Sequence, residues 1–328
     1  MKKAIVIAII SILLTAGSAY ARQYKIANVA WTGCAPANVA EIKGFWKEQG
    51  IDVKVFTTVT PNESHELLKN RLVDIKFDMI GSSIGQYMDG EPIRIIAETN
   101  WSQGGDKILV KKNLDPAALK GKPVGVYFNV PAVTFFLNQY LSTINVKLSD
   151  TRIIEMEADA LADHFIAGRF GIIVSYDPTA LRAERKGNGK IVATSATYEG
   201  CIPEGMMVMK DVLGKIPEED LIKILKGWIK AVKWTQDPAN WKEYMKILNE
   251  RTFKGMDPYS EKDLKEMVGA VHIHSASEQL ERNREEGGLH IYLEQLKEFL
   301  SANKMLKKEF THDTIFFNKA IVKALSQP

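Results

Sequence analysis

Short β-prone runs alternate with segments of helical period from Tyr24 to about Met209, and this alternation restricts the chain to a layered α/β architecture. Tyr24 to Ala30 predicts a first strand, and Trp31 to Pro36 a loop. Val39, Ile42, Phe45 and Trp46 then recur at helical spacing until Gly50 stops the helix. Ile51 to Thr58 predicts a second strand, and Pro61-Asn62 turns the chain into a helix through Leu67, Leu68 and Leu72. Ile75 to Ile80 predicts a strand ending at Gly81-Ser82-Ser83. Another helix runs to Gly90, and Ile93 to Glu98 is again extended. The middle repeats the theme, with strands expected over 123–127, 152–156 and 172–175, each leading into a helix. A strand over 206–209 follows, and the remainder is helical and charged, with Trp228, Val232 and Trp234 as a core-facing stripe. Helical crossovers imply a largely parallel sheet. "LKNRLVDIKFDMIG" and "FIAGRFGIIVSYDP" share one order of helix, tight corner, buried strand and polar tip, which predicts two similar lobes.

The first residues read as an export signal. Lys2 and Lys3 precede an apolar run from Ala4 to Leu14, and Ala19-Tyr20-Ala21 offers small residues for cleavage before Arg22. The run is shorter than the roughly 20 apolar residues a spanning helix needs. Thr32-Gly33-Cys34 lies too far downstream to serve as a lipidation site. These features predict a periplasmic protein, cleaved after Ala21 and without a lipid. The formal charge of +3 falls close to neutrality once the two lysines are removed, which leaves no footprint for nucleic acid. Cys34 and Cys201 are the two cysteines; an oxidising compartment favours a disulfide between them, while spacing alone leaves two separate buried thiols open. His272 and His274 stand two apart, with no third ligand at metal-site spacing, so no metal is expected and their role stays open. No nucleophile elbow, zinc-protease, Walker or dinucleotide motif occurs, so no enzyme and no cofactor is expected.

"APANVAEIKGFWKEQGIDVKVF" resembles the first helix and second strand of the nitrate/sulfonate/taurine/thiamine-pyrimidine family of ABC transporter periplasmic substrate-binding proteins. Gly44, Phe45, Trp46, Lys47, Glu48, Gly50, Ile51, Asp52 and Val53 carry that phrase. "GEPIRIIAETNWSQGGDKILV" is similar to the family's strand and crossover. Asp115, Leu119, Lys120, Gly121, Lys122, Val124 and Gly125 fit its entrance to the second lobe, and Tyr176-Asp177-Pro178 fits its aromatic-acid-Pro step. The likeness covers roughly Tyr24 to Lys210. Arg71 stands where the corner is usually Gly, and Gly171 where it is usually Asp. The resemblance implies a two-lobed periplasmic-binding-protein (type II) architecture, α/β, with two crossovers between lobes. On that basis residues 22–108 plus 205–328 form lobe one and 109–204 lobe two. It also implies hinge closure on a solute, a permease with its ATPase in the inner membrane as partner, and a monomer. An exported enzyme on the same scaffold and a ligand-presenting subunit of a sensor are the alternatives.

Ligands in open α/β sheets sit beyond the carboxyl ends of strands. The corresponding tips yield Trp31, Cys34, Ser82, Ser83, Gly105, Asp106, Phe128, Asn129, Val130, Tyr176 and Asp177 as candidate ligand-binding residues. Free N–H groups at helix starts suit an anionic group, Trp31 and Tyr176 a flat body, and Asp106 and Asp177 an amine or ring N–H. Asp177 before Pro178, and the serine pair, equally suit helix capping. The tips hold no Arg or Lys. This predicts a small organic nitrogen- or sulfur-containing solute, of the aminopyrimidine, taurine/sulfonate-like or amine-bearing kind, with an amine or ring N–H preferred over nitrate or a simple alkyl sulfonate.

Overall fold

The computed structural model describes residues 22–115, 119–127, 130–177 and 179–326, and the expected export segment lies outside them. Two mixed sheets organise these residues. β1 (Gln23–Val29), β2 (Asp52–Thr58), β3 (Ile75–Met79) and β4 (Ile93–Ser102) belong to the first. β5 (Asp106–Lys111), β6 (Pro123–Tyr127), β7 (Arg152–Met156), β8 (Ile172–Tyr176) and β9 (Gly189–Thr194) form the second. β10 (Pro203–Met209) and β11 (Val271–Ile273) return to the first. The orders are β11-β4-β10-β3-β1-β2 and β7-β6-β8-β5-β9. Sheet membership therefore changes between Ser102 and Asp106 and again between Thr194 and Pro203, whereas the expected lobe limits stood at 108 and 205.

The sheets are mixed where a largely parallel arrangement was expected. β1 pairs parallel with β2 and β3, and β6 with β7 and β8. β10 lies antiparallel between β3 and β4, and β5 antiparallel between β8 and β9. The reason is topological. A strand that arrives from the other lobe starts at the edge where the parallel strands end, so it must run the opposite way. β5 lies in a stretch read as strand and crossover, and no strand was expected over β9.

Burial follows from position in the sheet. All seven residues of β10 are buried, as a central strand covered on both faces requires. The helix Glu218–Thr235 closes the first core: Trp228 meets Phe77 at 4.8 Å between ring centroids, and Trp46 donates its indole N–H to the Ile224 carbonyl at 2.9 Å. That approach needs Gly227, where a Cβ would lie 2.1 Å from Trp46 Cδ1. Trp234 is only half-buried and holds Lys43 over its ring. The Arg71 departure is also explained. Arg71 adopts the left-handed φ of 57° that glycine meets without cost, and its guanidinium pairs with Asp211 at 2.9 Å.

The lobes touch through the helix Val130–Thr143, which rests on the helix Ile80–Met88. Small residues permit this: a Cβ on Gly81 would lie 2.9 Å from Ala132 Cα. Phe135 completes the contact edge-on against Tyr292 and Phe299.

Candidate functional site

The antiparallel crossover strands decide what meets at the cleft. β3 and β8 finish at this edge, carrying Asp78 and Tyr176, and Tyr127 ends β6. β5 and β10 begin here, with Asp106 first in β5 and Glu204 second in β10. The pairing registers place Glu204 opposite Met79 and Asp106 opposite Tyr176. With Trp31, just beyond β1, these residues line a cavity of about 100 Å³. Pro61, Tyr127 and Tyr176 also border a larger chamber of about 650 Å³, faced by His65, Ser82 and Gln86 on one side and Glu155 and Glu157 on the other.

Each inner residue is fixed by its neighbours. The Trp31 indole N–H donates to Glu204 Oε2 at 3.0 Å, and the Asn100 amide donates to the same oxygen. Gly33 leaves room for that junction, since a Cβ there would lie 2.6 Å from Asn100 Nδ2 and 2.8 Å from Glu204 Oε2. Gly105 lies under the Trp31 ring, where a Cβ would stand 2.6 Å from Cη2. The Tyr127 hydroxyl donates to Asp106 Oδ1. Ser102 and Ser195, 2.8 Å apart, accept from the Asp106 backbone N–H, and Ser195 also accepts from Gly104 N–H at 2.7 Å. Two lysines stand behind the wall and are already occupied. Lys76, fully buried, bonds Asp78 at 2.5 Å and Gln86 at 3.0 Å. Lys107 donates to the Gly104 carbonyl at 2.9 Å and to Asp177.

Burial dominates the electrostatics. It pushes the Glu204 carboxyl up to about 8, with the Asp106 charge adding to the effect and hydrogen bonds from Asn100 and Trp31 opposing it. Burial likewise raises Asp106, against the hydrogen bonds from Ser102 and Tyr127. The Tyr127 phenol is held well above its ordinary range by burial and then by Asp106, and the Cys34 thiol by burial and then by Glu204. The result is a small, acidic, aromatic-walled space.

Of the residues singled out in the sequence, Trp31, Cys34, Asp106 and Tyr176 line the inner cavity and Ser82 the outer chamber. Ser83 and Gly105 line neither, and Asp177 turns to Lys107. Phe128 and Asn129, and the side chain of Val130, lie outside the described residues. The disulfide expected between Cys34 and Cys201 is not formed: both are buried free thiols. Their surroundings differ, Cys34 lying near Glu204 and Asp78 and Cys201 near Asp106 and Tyr292. His272 pairs with Glu278 and His274 with Glu98, each at 3.0 Å, which gives both histidines a hydrogen-bonding role in the fold. No group of three or more His, Cys, Asp or Glu suited to a metal occurs among the described residues.

Sequence reasoning missed Asp78, Tyr127 and Glu204. A signal existed for two of them. Asp78 interrupts a buried run, and Glu204 is the lone carboxylate in "CIPEGMMVM". A buried charge in an apolar strand demands a partner or a purpose.

Comparison with known proteins bears on this geometry. The model of a family described as the NMT1-like family matches residues 17–249. YtlA of Bacillus subtilis (strain 168), a candidate binding protein, is 28% identical over 213 residues, 62% of this chain and 63% of that protein; the match thus spans less than two thirds of the relative's length. Among solved structures, the alkanesulfonate-binding protein SsuA from Xanthomonas axonopodis pv. citri, bound to MOPS, superposes with a TM-score of 0.68 at 13% identity, covering 90% of this chain and 98% of its own. The periplasmic nitrate-binding protein NrtA from Synechocystis PCC 6803 superposes at 0.65 with 15% identity, covering 93% and 89%. At such identities the likeness establishes the fold, the two-lobed α/β architecture of periplasmic binding proteins.

Proposed function

The chain belongs to the NMT1-like family, and from that premise we propose that it is the substrate-binding component of an ABC importer, capturing a small organic solute that bears an amine or a ring N–H. The two-lobed fold supports capture in a cleft followed by delivery, and proteins of similar structure bind nitrate or alkanesulfonates. The ligand reading rests on one observation: the inner cavity holds three carboxyl groups, Asp78, Asp106 and Glu204, between the rings of Trp31, Tyr127 and Tyr176. Both nearby lysines are already paired, Lys76 with Asp78 itself and Lys107 with Asp177 outside the cavity, so Asp106 and Glu204 have no lysine bonded to them. A bare inorganic anion would meet carboxyl groups there, with no Lys, Arg or His among the described residues of the lining to hold it. The carboxyls are not grouped as metal ligands, whereas aromatic faces and carboxylates together suit an organic cation or a planar N–H donor.

The partners that follow are a permease and its ATPase in the inner membrane, and the compartment is the periplasm. No helix among the described residues is long and apolar enough to cross a membrane. A thermal-shift screen over aliphatic amines, aminopyrimidines, taurine, alkylsulfonates and nitrate tests the ligand reading. An amine or aminopyrimidine at about 100 times its dissociation constant should add about 2.7 kcal/mol of stability. A shift with nitrate or ethanesulfonate and none with any amine would sink it. Ligand-dependent stimulation of a reconstituted permease–ATPase complex tests the transport role.

A further inference from the structure

Three carboxyl groups reach the inner cavity from three strands, and they are not held alike. Asp78, on β3, is neutralised by the buried ammonium of Lys76. Asp106, on β5, receives the Tyr127 phenol and lies near Lys107, which Asp177 occupies. Glu204, on β10, receives only the neutral donors Trp31 and Asn100, and no Lys, Arg or His among the described residues is bonded to it. The titratable groups around Glu204 are Asp78, Asp106, the Cys34 thiol and the Tyr127 phenol, all neutral or negative; Tyr176 stands beside Asp106 at the far wall. A carboxylate stripped of water next to a second one, without a cation, is unfavourable, so a proton stays on Glu204 until positive charge arrives.

We propose that capture is linked to a proton: an organic cation entering the inner cavity displaces the proton of Glu204, so binding tightens as pH rises and slackens in acid. This rests on reading the cavity as a cation site, and it adds a regulation that the reading alone does not require. The proton lost from the Glu204 carboxyl leaves to solvent, and the charge of the incoming cation replaces it. The carboxyl's upward displacement to about 8 puts the exchange in the neutral range. Affinity for a permanently charged ligand then grows by up to about tenfold per pH unit below that value and levels off above it.

Two measurements test this. The first needs no ligand: the Glu204 carboxyl carbon, followed by NMR and assigned by its absence in Glu204→Gln, should titrate near 8. Titration in the ordinary glutamate range, near 4.5, would overturn the proposal. The second is calorimetry with methylguanidinium, charged throughout the range, and its neutral analogue N-methylurea. Methylguanidinium should release close to one proton at neutral pH, read from buffers of different ionisation enthalpy, and its affinity should climb with pH. In Glu204→Gln, whose fold is checked by circular dichroism, binding should be weaker and its pH profile flat. A flat wild-type profile with methylguanidinium bound would overturn the proton linkage alone. Preference for N-methylurea, or no binding of either probe, would overturn the cation reading and the linkage with it.

Discussion

Glu98 and Glu204 sit on adjacent strands, β4 and β10, with Gly205 opposite Glu98 and Glu204 opposite Asn100. Both are buried, yet their surroundings are opposite in kind. Glu98 Oε1 is bonded by Arg282 Nε at 2.8 Å and His274 at 3.0 Å, and its Oε2 by Arg282 Nη2 at 3.0 Å. Trp101 lies beside this network, stacked on His272 and capped by Arg282. Glu204 has two neutral donors and an open cavity in front of it. A carboxylate with its cation supplied by the fold holds the fold together. One whose cation is missing either carries a proton or waits for a ligand.

The contrast can be broken most forcefully at Glu98. Glu98→Ala leaves Arg282 without its counter-charge and His274 without its hydrogen-bond partner, and urea denaturation should show a loss of about 3–5 kcal/mol. Glu204→Gln at neutral pH replaces a largely protonated carboxyl by an amide of the same shape, and should change stability by less than about 1 kcal/mol. Equal losses in the two variants would end the distinction.

A smaller effect appears in the pH dependence of the ligand-free protein. The Glu204 carboxyl is raised in the folded state from 4.5 to about 8. Its contribution is therefore fully present below pH 4.5 and lost as pH rises through about 8, where ionisation must occur inside the cavity. Melting temperatures should fall across that window in the wild type, and the fall should be shallower in Glu204→Gln. An identical profile in both proteins would assign the slope to other groups.

Ligand affinity sharpens the comparison further. With an amine identified by the thermal-shift screen, Asp106→Asn should weaken binding by about 1.5–3 kcal/mol, the scale of a hydrogen bond to a charged group. Asp177→Asn should matter less, because Asp177 is bonded to Lys107 and lines neither cavity. Calorimetry that ranks them the other way would move the ligand toward the Asp177 side. Gly105→Ala should weaken binding less than Asp106→Asn does. Its methyl group would meet Trp31 Cη2 at 2.6 Å and push the ring from the wall, costing about 1 kcal/mol of affinity if the ring contacts a cation. Unchanged affinity would remove Trp31 from the ligand's path.

The alternation of periods carried most of the architecture. β1 to β4 and β6 to β8 all stand where the β-prone runs predicted, because a strand covered by helices must be apolar and a helix on a sheet must be amphipathic. Trp31, Cys34, Asp106 and Tyr176 were legible as candidates because strand tips are where α/β sheets expose side chains. The sequence by itself thus determined the layered fold and four of the twelve residues that line the cavity. Only the tertiary structure decided that β5 and β10 run backwards, which brings Asp106 and Glu204 to the same edge as Tyr176 and Met79. It alone assigned Lys76 to Asp78, Lys107 to Asp177 and Arg282 to Glu98, leaving Glu204 with no cation bonded to it among the described residues. The physical reason is range. Periodicity and propensity act over a few neighbouring residues, whereas a buried carboxylate takes its charge state from whatever the fold packs against it, here Trp31 and Asn100, more than 100 positions earlier in the chain.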